Sequence, residues 1–350
     1  MSRDTLSDVL RSVRLRSAVF YYVSCDGKWA AEAPASCDIA AAVMPESEHV
    51  MAYHVVTGGE CWAATSGEPP RRLRRGDIIL LPQGDAHVVS SAPGLRAAAD
   101  IDAYYAMQRD QRPFRLHYAS GSRPTVDLDR PATPAAAGDA AETTLVCGFI
   151  GCDARPFNPL LATLPRLMHL PAGEGNDCSS QFATFAAAES VSRRPGGEAL
   201  LERLSEMMFV DAIRRHVDAM PEQSTGWLAG LRDRIVGRAL TLLHERPAAA
   251  WTIDELGNQV GLSRSALHQR FVDLIGQPPM QYLTQWRMQL ASRLLRETQQ
   301  SVAAIALDVG YDSEAAFARA FRRAAGMPPA AWRRQQSKAG AARPAAAPAG

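Results

Sequence analysis

Apolar residues change their spacing along the chain, and that change divides it. In the first half they fall in short runs: AVFYYVS from Ala18, MAYHVV from Met51, ECWAAT from Glu60, RRLRR from Arg71, DIILLP from Asp77 and HVVSS from His87. Gly, Pro and Asp separate the runs. Many short strands at near-even spacing predict an antiparallel sandwich or small barrel. A short amphipathic helix over residues 6–13 precedes them, with Leu6, Val9, Leu10 and Val13 on one face. Further on, TTLVCGFIG from Thr143 predicts another strand, and NPLLATLPRLMHLP from Asn158 a turn, a short helix and a strand. The Ala/Pro-rich run DRPATPAAAGDAAE, 129–142, reads as a mobile loop.

Beyond residue 196 the period becomes helical. GEALLERLSEMMFVDAIRRHVDAM, 197–220, sets Leu200, Leu204, Met207, Met208 and Ile213 near one apolar face, with Glu202, Arg203 and Glu206 opposite. Such a helix either forms a dimer seam or covers the open side of the strands before it. Residues 252–276 and 301–326 then repeat one pattern, about 49 residues apart. Each copy has an amphipathic helix (Ile253, Leu256, Val260; Val302, Ile305, Val309). Each then has a turn with Gly and a hydroxyl residue (Gly261-Leu262-Ser263; Gly310-Tyr311-Asp312-Ser313). A second helix follows, packed through Leu267 and Phe271 or through Phe317 and Phe321. Two short helices joined by a three- to four-residue Gly turn are the sequence form of a DNA-reading helix-turn-helix, and the repetition argues against chance. Thr252-Ile253-Asp254-Glu255 is a capping box that starts the first unit. Pro278-Pro279 opens the helix between the units, which spans roughly 25 Å at 1.5 Å per residue. That length suits two reading helices in successive major-groove segments about 34 Å apart.

Length and charge fit this division. A chain of 350 residues has room for two or three domains with real cores. The net charge of +1 hides a split: 16 basic against 9 acidic residues from Gly226 onward, and 22 against 28 before it. Basic charge therefore lies with the helix-turn-helix units, as phosphate contact requires. No apolar run approaches the roughly 18 residues of a membrane span. The opening MSRDTLSDVLRSVRLRS is amphipathic, unlike a charged-then-apolar leader, so a cytoplasmic protein without a membrane partner is expected.

In the first unit Ser263 is placed to cap a reading helix that presents Arg264, Ser265, His268 and Gln269 away from Leu267 and Phe271. Gln and Arg pair bidentately with base edges; Ser and His bond to base or phosphate. In the second, Glu314, Ala315, Ala318 and Arg319 take the exposed positions. Glu accepts from cytosine N4, and Arg is the usual guanine reader. Arg322, Arg323, Arg333 and Arg334 fall at the helix end and beyond, where phosphate contacts are expected.

The first half carries sparser chemistry. Gly76 to His87, with the spacing G-x5-P-x-G-x2-H, resembles the second motif of the cupin barrel. His54-x-Val56-x3-Glu60-x6-Gly67 resembles the first, with Val56 in place of its second His and Glu48 where a Gly precedes it. In metal-binding cupins the two motifs supply three His and one Glu. His54, Glu60 and His87 are therefore candidate ligands of a divalent metal, enough for an open site. The alternative is a domain that kept the hairpins and lost the metal, its histidines filling the interior. All six cysteines lie before residue 180. Cys147 and Cys152, with four residues between them, are the candidate redox pair; the alternative is small buried hydrophobes.

From SRSALHQRFVDLIGQPPMQYLTQWRMQLASRLL through VAAIALDVGYDSEAAFARAFRRAAGMPPAAWRR the chain is similar to the AraC/XylS family of transcription regulators. The G-x-P-P after each second helix and the long WRM helix are particularly family-like, and GWLAGLRDRIVGRALTLLHERPAAAWT resembles the same domain's opening helix. The match covers about 110 residues. HVVTGGECW and RLRRGDIILLPQGDAH resemble the cupin-type sensor domains of one branch of that family. Carried over by position, the family's base-facing sites fall on Ser265, His268 and Gln269, then on Glu314, Ala315, Ala318 and Arg319. The two alanines offer only apolar contact, such as to a thymine methyl.

The resemblance implies an α+β chain: a cupin-like antiparallel β-barrel with flanking helices over 1–195, a helical linker and dimer-seam candidate over 196–225, an AraC-type DNA-binding domain of two helix-turn-helix units over 226–336, and a disordered tail over 337–350. It implies a non-enzymatic regulator that binds double-stranded promoter DNA and answers an effector through the cupin-like domain, with RNA polymerase and a second copy of the chain as further partners. Two other readings are a metal-dependent cupin enzyme with an appended DNA-binding domain and a cysteine-based oxidant sensor.

Overall fold

The computed structural model describes residues 4–107, 114–121, 124–126, 142–173, 178–192 and 194–341. The expected loop at 129–142 lies outside them except for Glu142, as does 342–350 of the expected tail. The strands are β1 (Arg16–Asp26), β2 (Ala30–Ala33), β3 (His49–Gly58), β4 (Glu60–Thr65), β5 (Arg71–Arg74) and β6 (Ile78–Leu81). They continue with β7 (His87–Ser90), β8 (Phe114–Ala119), β9 (Thr125–Val126), β10 (Glu142–Cys152) and β11 (Met168–Leu170). Among them stand α1 (Thr5–Ser12), α2 (Ser36–Val43) and α3 (Ile101–Met107), followed by α4 (Cys178–Ser192) and α5 (Gly197–Ala219). The rest is helical: α6 (Trp227–Arg232), α7 (Arg234–Glu245), α8 (Ile253–Val260), α9 (Arg264–Ile275), α10 (Pro279–Glu297), α11 (Val302–Asp308), α12 (Glu314–Ala325) and α13 (Pro329–Ala341). The last helix carries regular structure five residues into the stretch expected to be a tail.

The described residues form two compact units. One holds 15–152 and 164–218; the other holds 4–14, 153–163 and 219–341.

In the first unit alternate residues of each strand face inward, the period-two geometry of extended chain. Tyr21, Val23 and Cys25 of β1, Leu145, Cys147 and Phe149 of β10, Cys61 and Ala63 of β4, and Ile79 and Leu81 of β6 share one core. Leu73, between exposed arginines of β5, is fully buried in it. Two sheets supply these residues, ordered β11-β6-β3-β10-β1-β8-β9 and β2-β7-β4-β5. The sheet-rich cupin region and the helical half agree with expectation; closure and strand direction differ. Among the described residues hydrogen bonding leaves two sheets and closes no barrel, and β1 pairs β8 in parallel. A parallel neighbour needs a crossover of a dozen or more residues, and the chain from β2 to α3 supplies it.

In the second unit two segments from the first half of the sequence fold with the helices. Gln289, fully buried on α10, holds both. Its Nε2 donates to the Ser12 carbonyl at 3.1 Å, and its Oε1 accepts from Phe157 N–H at 3.2 Å. A buried amide with both ends satisfied fixes its neighbours, because losing either partner strands a polar group. Asp153, also buried, accepts from Arg14 at 2.8 Å and pairs with Arg296 of α10 at 2.7 Å.

Candidate nucleic-acid interface

Four short helices build the interface, and each starts on a hydroxyl cap. Thr252 Oγ1 accepts from Glu255 N–H at 3.1 Å and Ser263 Oγ from Ala266 N–H at 3.3 Å. Ser301 and Ser313 repeat this for α11 and α12, at 3.1 and 3.2 Å. Each cap satisfies an N–H that the first helical turn leaves without a partner. The turns close alike: Leu262 N–H donates to Gly257 O at 3.0 Å, and Tyr311 N–H to Ala306 O at 2.8 Å. The first turn is so tight that a Cβ on Gly257 would lie 2.6 Å from Leu262 O. Both turns pass through left-handed glycines, Gly261 at φ 76° and Gly310 at φ 83°, where a side chain would be strained.

The second helices bury what the pattern required, Leu267 and Phe271 in α9 and Phe317 and Phe321 in α12. Phe271 meets Tyr282 edge-on at 5.9 Å, and Phe321 meets Trp332 at 5.8 Å. That packing turns Arg264, Ser265, His268 and Gln269 outward in α9, and Glu314, Ala315, Arg319, Arg322 and Arg323 outward in α12. Ala318 is half-buried.

The two outward faces differ in charge state. On α9, Arg264 pairs with Asp254 at 3.3 Å, Gln269 donates to Asp273 at 2.7 Å, and Arg270 pairs with Asp233 at 2.5 Å. The Arg270 guanidinium, with help from the N–H groups of α7, holds the Asp233 carboxyl below the usual range. On α12, Arg319 and Arg322 make no ion pair or hydrogen bond among the described residues, and Arg323 lies in the field of Tyr311.

One expected phosphate contact is spent elsewhere. Arg333 Nε donates to Leu295 O at 3.0 Å and Nη2 to Gln300 O at 2.6 Å. A helix end leaves carbonyls without partners, and a cation satisfies them well, so Arg333 holds the end of α10. A residue without an assigned role in the sequence reading, Arg287, links the two units. Its guanidinium donates to Pro247 O at 2.7 Å, Ala249 O at 2.8 Å and Gly310 O at 3.2 Å, joining the segment before α8 to the turn before α12. An arginine on a helix otherwise buried at Trp286, Met288 and Ala291 was the available signal.

In the sheet-rich unit the candidate metal ligands do not assemble. His54 and His87 meet, with their Nε2 atoms 2.6 Å apart. His87 Nδ1–H donates to Asp85 O at 2.9 Å, which leaves its Nε2 to accept the proton of His54 Nε2. Burial pushes both imidazoles toward the neutral form. Glu60 is exposed at the start of β4 and pairs with Arg72 at 2.7 Å. No group of three His, Cys, Asp or Glu side chains suited to a metal occurs among the described residues. The three-ligand set thus does not fit a metal: charge pairing across the β4–β5 hairpin takes its carboxylate. The redox pair is likewise kept apart. Cys147 and Cys152 both lie on β10, five residues apart, so they face opposite sides about 16 Å from each other. A disulfide needs Cα atoms within about 7 Å. Burial pushes the Cys147 thiol well above its ordinary value.

Paired, capped helix-turn-helix units on one connecting helix, in a chain with a sheet-rich cupin region, define a DNA-binding transcription regulator. The Cupin family model matches residues 4–218 and the Helix-turn-helix domain model residues 256–335. An AraC-like transcription regulator of Streptomyces lividans is 32% identical over 95% of this chain and 98% of its own length. One of Streptomyces antibioticus is 33% identical over 95% and 98%. The RCS-specific HTH-type transcriptional activator RclR of Escherichia coli K12 is 30% identical over 81% of this chain and 84% of its own. The chain belongs to the family of AraC-like transcription regulators and carries their cupin and helix-turn-helix domains. No helix among the described residues is long and apolar enough to cross a membrane.

Proposed function

We propose that this regulator reads promoter DNA with α9 and α12 in successive major-groove segments, and that Arg319 is its principal base reader. The observation that carries this reading is the unpaired state of Arg319 on an outward helix face. A guanidinium without an internal partner is ready for the bidentate contact to guanine O6 and N7. Arg322 and Arg323, one turn on, serve the phosphates; Arg264, Ser265, His268 and Gln269 read the other segment, while Glu314, Ala315 and Ala318 flank Arg319. Protection mapping of promoter DNA with Arg319→Ala tests the assignment. Relaxed preference at one base position is expected, and equal loss on unrelated sequences would make Arg319 a phosphate contact.

The cupin domain is the sensor, a non-enzymatic one that acts in the cytoplasm. An effector bound there shifts the DNA-binding units only through a difference in affinity for two states. Copies of the chain pair through α5, where Leu200 and Met207 are 52% and 50% exposed on one helix face, and the promoter-bound dimer engages RNA polymerase. Sedimentation of Leu200→Glu/Met207→Glu tests the pairing: an unchanged assembly would exclude that seam.

A second reading, a cysteine-based oxidant sensor, is supported by the place of one thiol. Cys147, the cysteine that lines the interior cavity, is the thiol such a signal reaches. Promoter binding that persists identically under mild oxidation in the wild type and in Cys147→Ser would end it.

A further inference from the structure

The sheet-rich unit contains a cavity of about 120 Å³. Tyr21, Trp29, Tyr104 and Tyr118 line it, with Val23 and Leu145 among the aliphatic groups between them. The rings stand in two crossed pairs: Tyr21 edge-on to Tyr104 at 5.8 Å, and Trp29 tilted against Tyr118 at 6.2 Å. The space is close to the roughly 150 Å³ that admits a benzene-sized molecule to an apolar cavity.

Two features of the wall select the guest. Tyr118 is only 8% exposed, yet its hydroxyl has no hydrogen-bond partner among the described residues, and the Tyr104 hydroxyl has none either. A hydroxyl in a pocket wall that no protein group occupies is available to a guest. Among the described residues the formal charges at the wall are the carboxylates of Glu32, which is paired with Arg96, and Asp100, which is exposed and caps a backbone N–H. Glu32 accepts from Arg96 Nε at 3.0 Å and from Ala97 N–H at 3.3 Å, while Asp100 accepts from Ala103 N–H at 3.0 Å. Among the described residues no Lys or Arg lines the cavity, and His54 and His87 meet at Nε2 while His54 Nδ1 is buried without a hydrogen-bond partner. A carboxylate guest would meet no cation of the described residues and would lose its hydration uncompensated, and an ammonium guest would find Glu32 already paired with Arg96 and only Asp100, exposed to water, left to meet it.

We propose that this cavity binds an uncharged, single-ring aromatic molecule carrying a hydroxyl group, a phenol-class effector, with its ring between the two crossed pairs and its hydroxyl on Tyr118. Four aromatic side chains in the wall favour a flat π system over a saturated ring of the same size. The Tyr118 hydroxyl supplies a directional contact that orients it. The inference rests on the sensor reading above and names the chemistry of its ligand.

Calorimetric titration of the full chain with phenol, benzoate, benzylammonium and cyclohexanol tests it. Phenol is expected to bind at least about tenfold more tightly than each of the others, a difference of about 1.4 kcal/mol. Tyr118→Phe keeps the ring and removes the hydroxyl, so it should weaken phenol several-fold and leave toluene unchanged. Benzoate or benzylammonium binding as tightly as phenol, absence of phenol binding, or equal weakening of phenol and toluene by Tyr118→Phe would each overturn the proposal. Promoter protection measured with and without phenol addresses the sensor reading separately. Selective phenol binding that leaves protection unchanged defeats the sensor and keeps the ligand class.

Discussion

The two helix-turn-helix units share a backbone plan and differ in what they offer DNA. Both start on hydroxyl caps, turn through a left-handed glycine, and bury two large side chains of the second helix. The second turn is one residue longer, Tyr311-Asp312 standing where the first has Leu262. On α9 Arg264, Gln269 and Arg270 are held by Asp254, Asp273 and Asp233; on α12 Arg319 and Arg322 have no ion pair or hydrogen bond among the described residues. An internally paired side chain must exchange its partner for a base, so its net gain on binding shrinks, whereas a free arginine gives up only water. The plan therefore sets where the readers stand, and the neighbouring acids set how strongly each one reads.

The largest effects test whether the units are equally dependent on their cores. Phe271→Ala and Phe321→Ala should each cost about 3–5 kcal/mol of stability, read by denaturant unfolding. Loss of hydrogen-exchange protection confined to α9 in one variant and α12 in the other would show two separable units. Loss in both helices from either change would show a single cooperative one.

Acid should separate the units further. His244 is buried, stacks on Trp286 at 4.1 Å and accepts from the Tyr282 hydroxyl at 2.8 Å. Burial lowers its pKa to about 3. The unfolded chain, with histidine near 6.5, binds the proton first, so stability falls as pH drops from about 6.5 towards 3. Tyr282 also packs on Phe271, while no histidine or carboxylate is buried among the described residues from Ser301 onward. Between pH 7 and pH 4.5, α9 should lose more protection than α12, and His244→Phe should remove that difference. Equal loss in both helices would refute this distribution.

Much of this plan is legible in the sequence because short-range rules produce it. The Thr252 box, the Ser263 position and the inward alternation of Tyr21, Val23 and Cys25 each follow from spacing along one element. What escapes depends on partners distant in sequence. Glu60 has the spacing of a ligand, yet Arg72 across the hairpin takes it. Arg333 has the look of a phosphate contact, yet the end of α10 uses its donors. Gln289 carries no signal along its own helix, because its partners Ser12 and Phe157 lie more than 130 residues away in sequence. The helix α4, rich in Ala and Ser, has only Phe182 and Phe185 as aromatic side chains, too short a pattern to announce its 15 residues, and the burial of Phe182 and Ala186 marks its inner face.

DNA-binding variants sharpen the comparison at smaller energies. Arg319→Ala should cost about 1–3 kcal/mol on its cognate site, and Gln269→Ala less, because Asp273 already holds that amide. Arg322→Ala should weaken binding evenly across sequences and reduce the magnitude of the slope of log K against log salt by about 0.9. If Gln269→Ala proved the costlier of the two reader changes, pairing with an internal acid would not be what limits α9.

The smallest effects concern the acids themselves. Asp273→Asn removes a negative charge from the outward side of α9 and keeps a side chain able to bond Gln269. If Asp273 only positions Gln269, cognate affinity should stay constant. If its charge opposes the phosphates, affinity should rise on every sequence, and more at low salt, since surface charges interact over about 10 Å at 0.1 M. The charge account predicts the second outcome, a gain of a few tenths to about 1 kcal/mol, the range of exposed pair energies. Arg319 has no acid beside it and so no corresponding gain to release. A rise for Asp273→Asn that vanished in Arg264→Ala would place the effect on Arg264, with Asp254 as the acid that matters. A rise that survived there would place it on α9 as a whole, making its acids the reason the first unit reads more weakly than its number of polar side chains suggests.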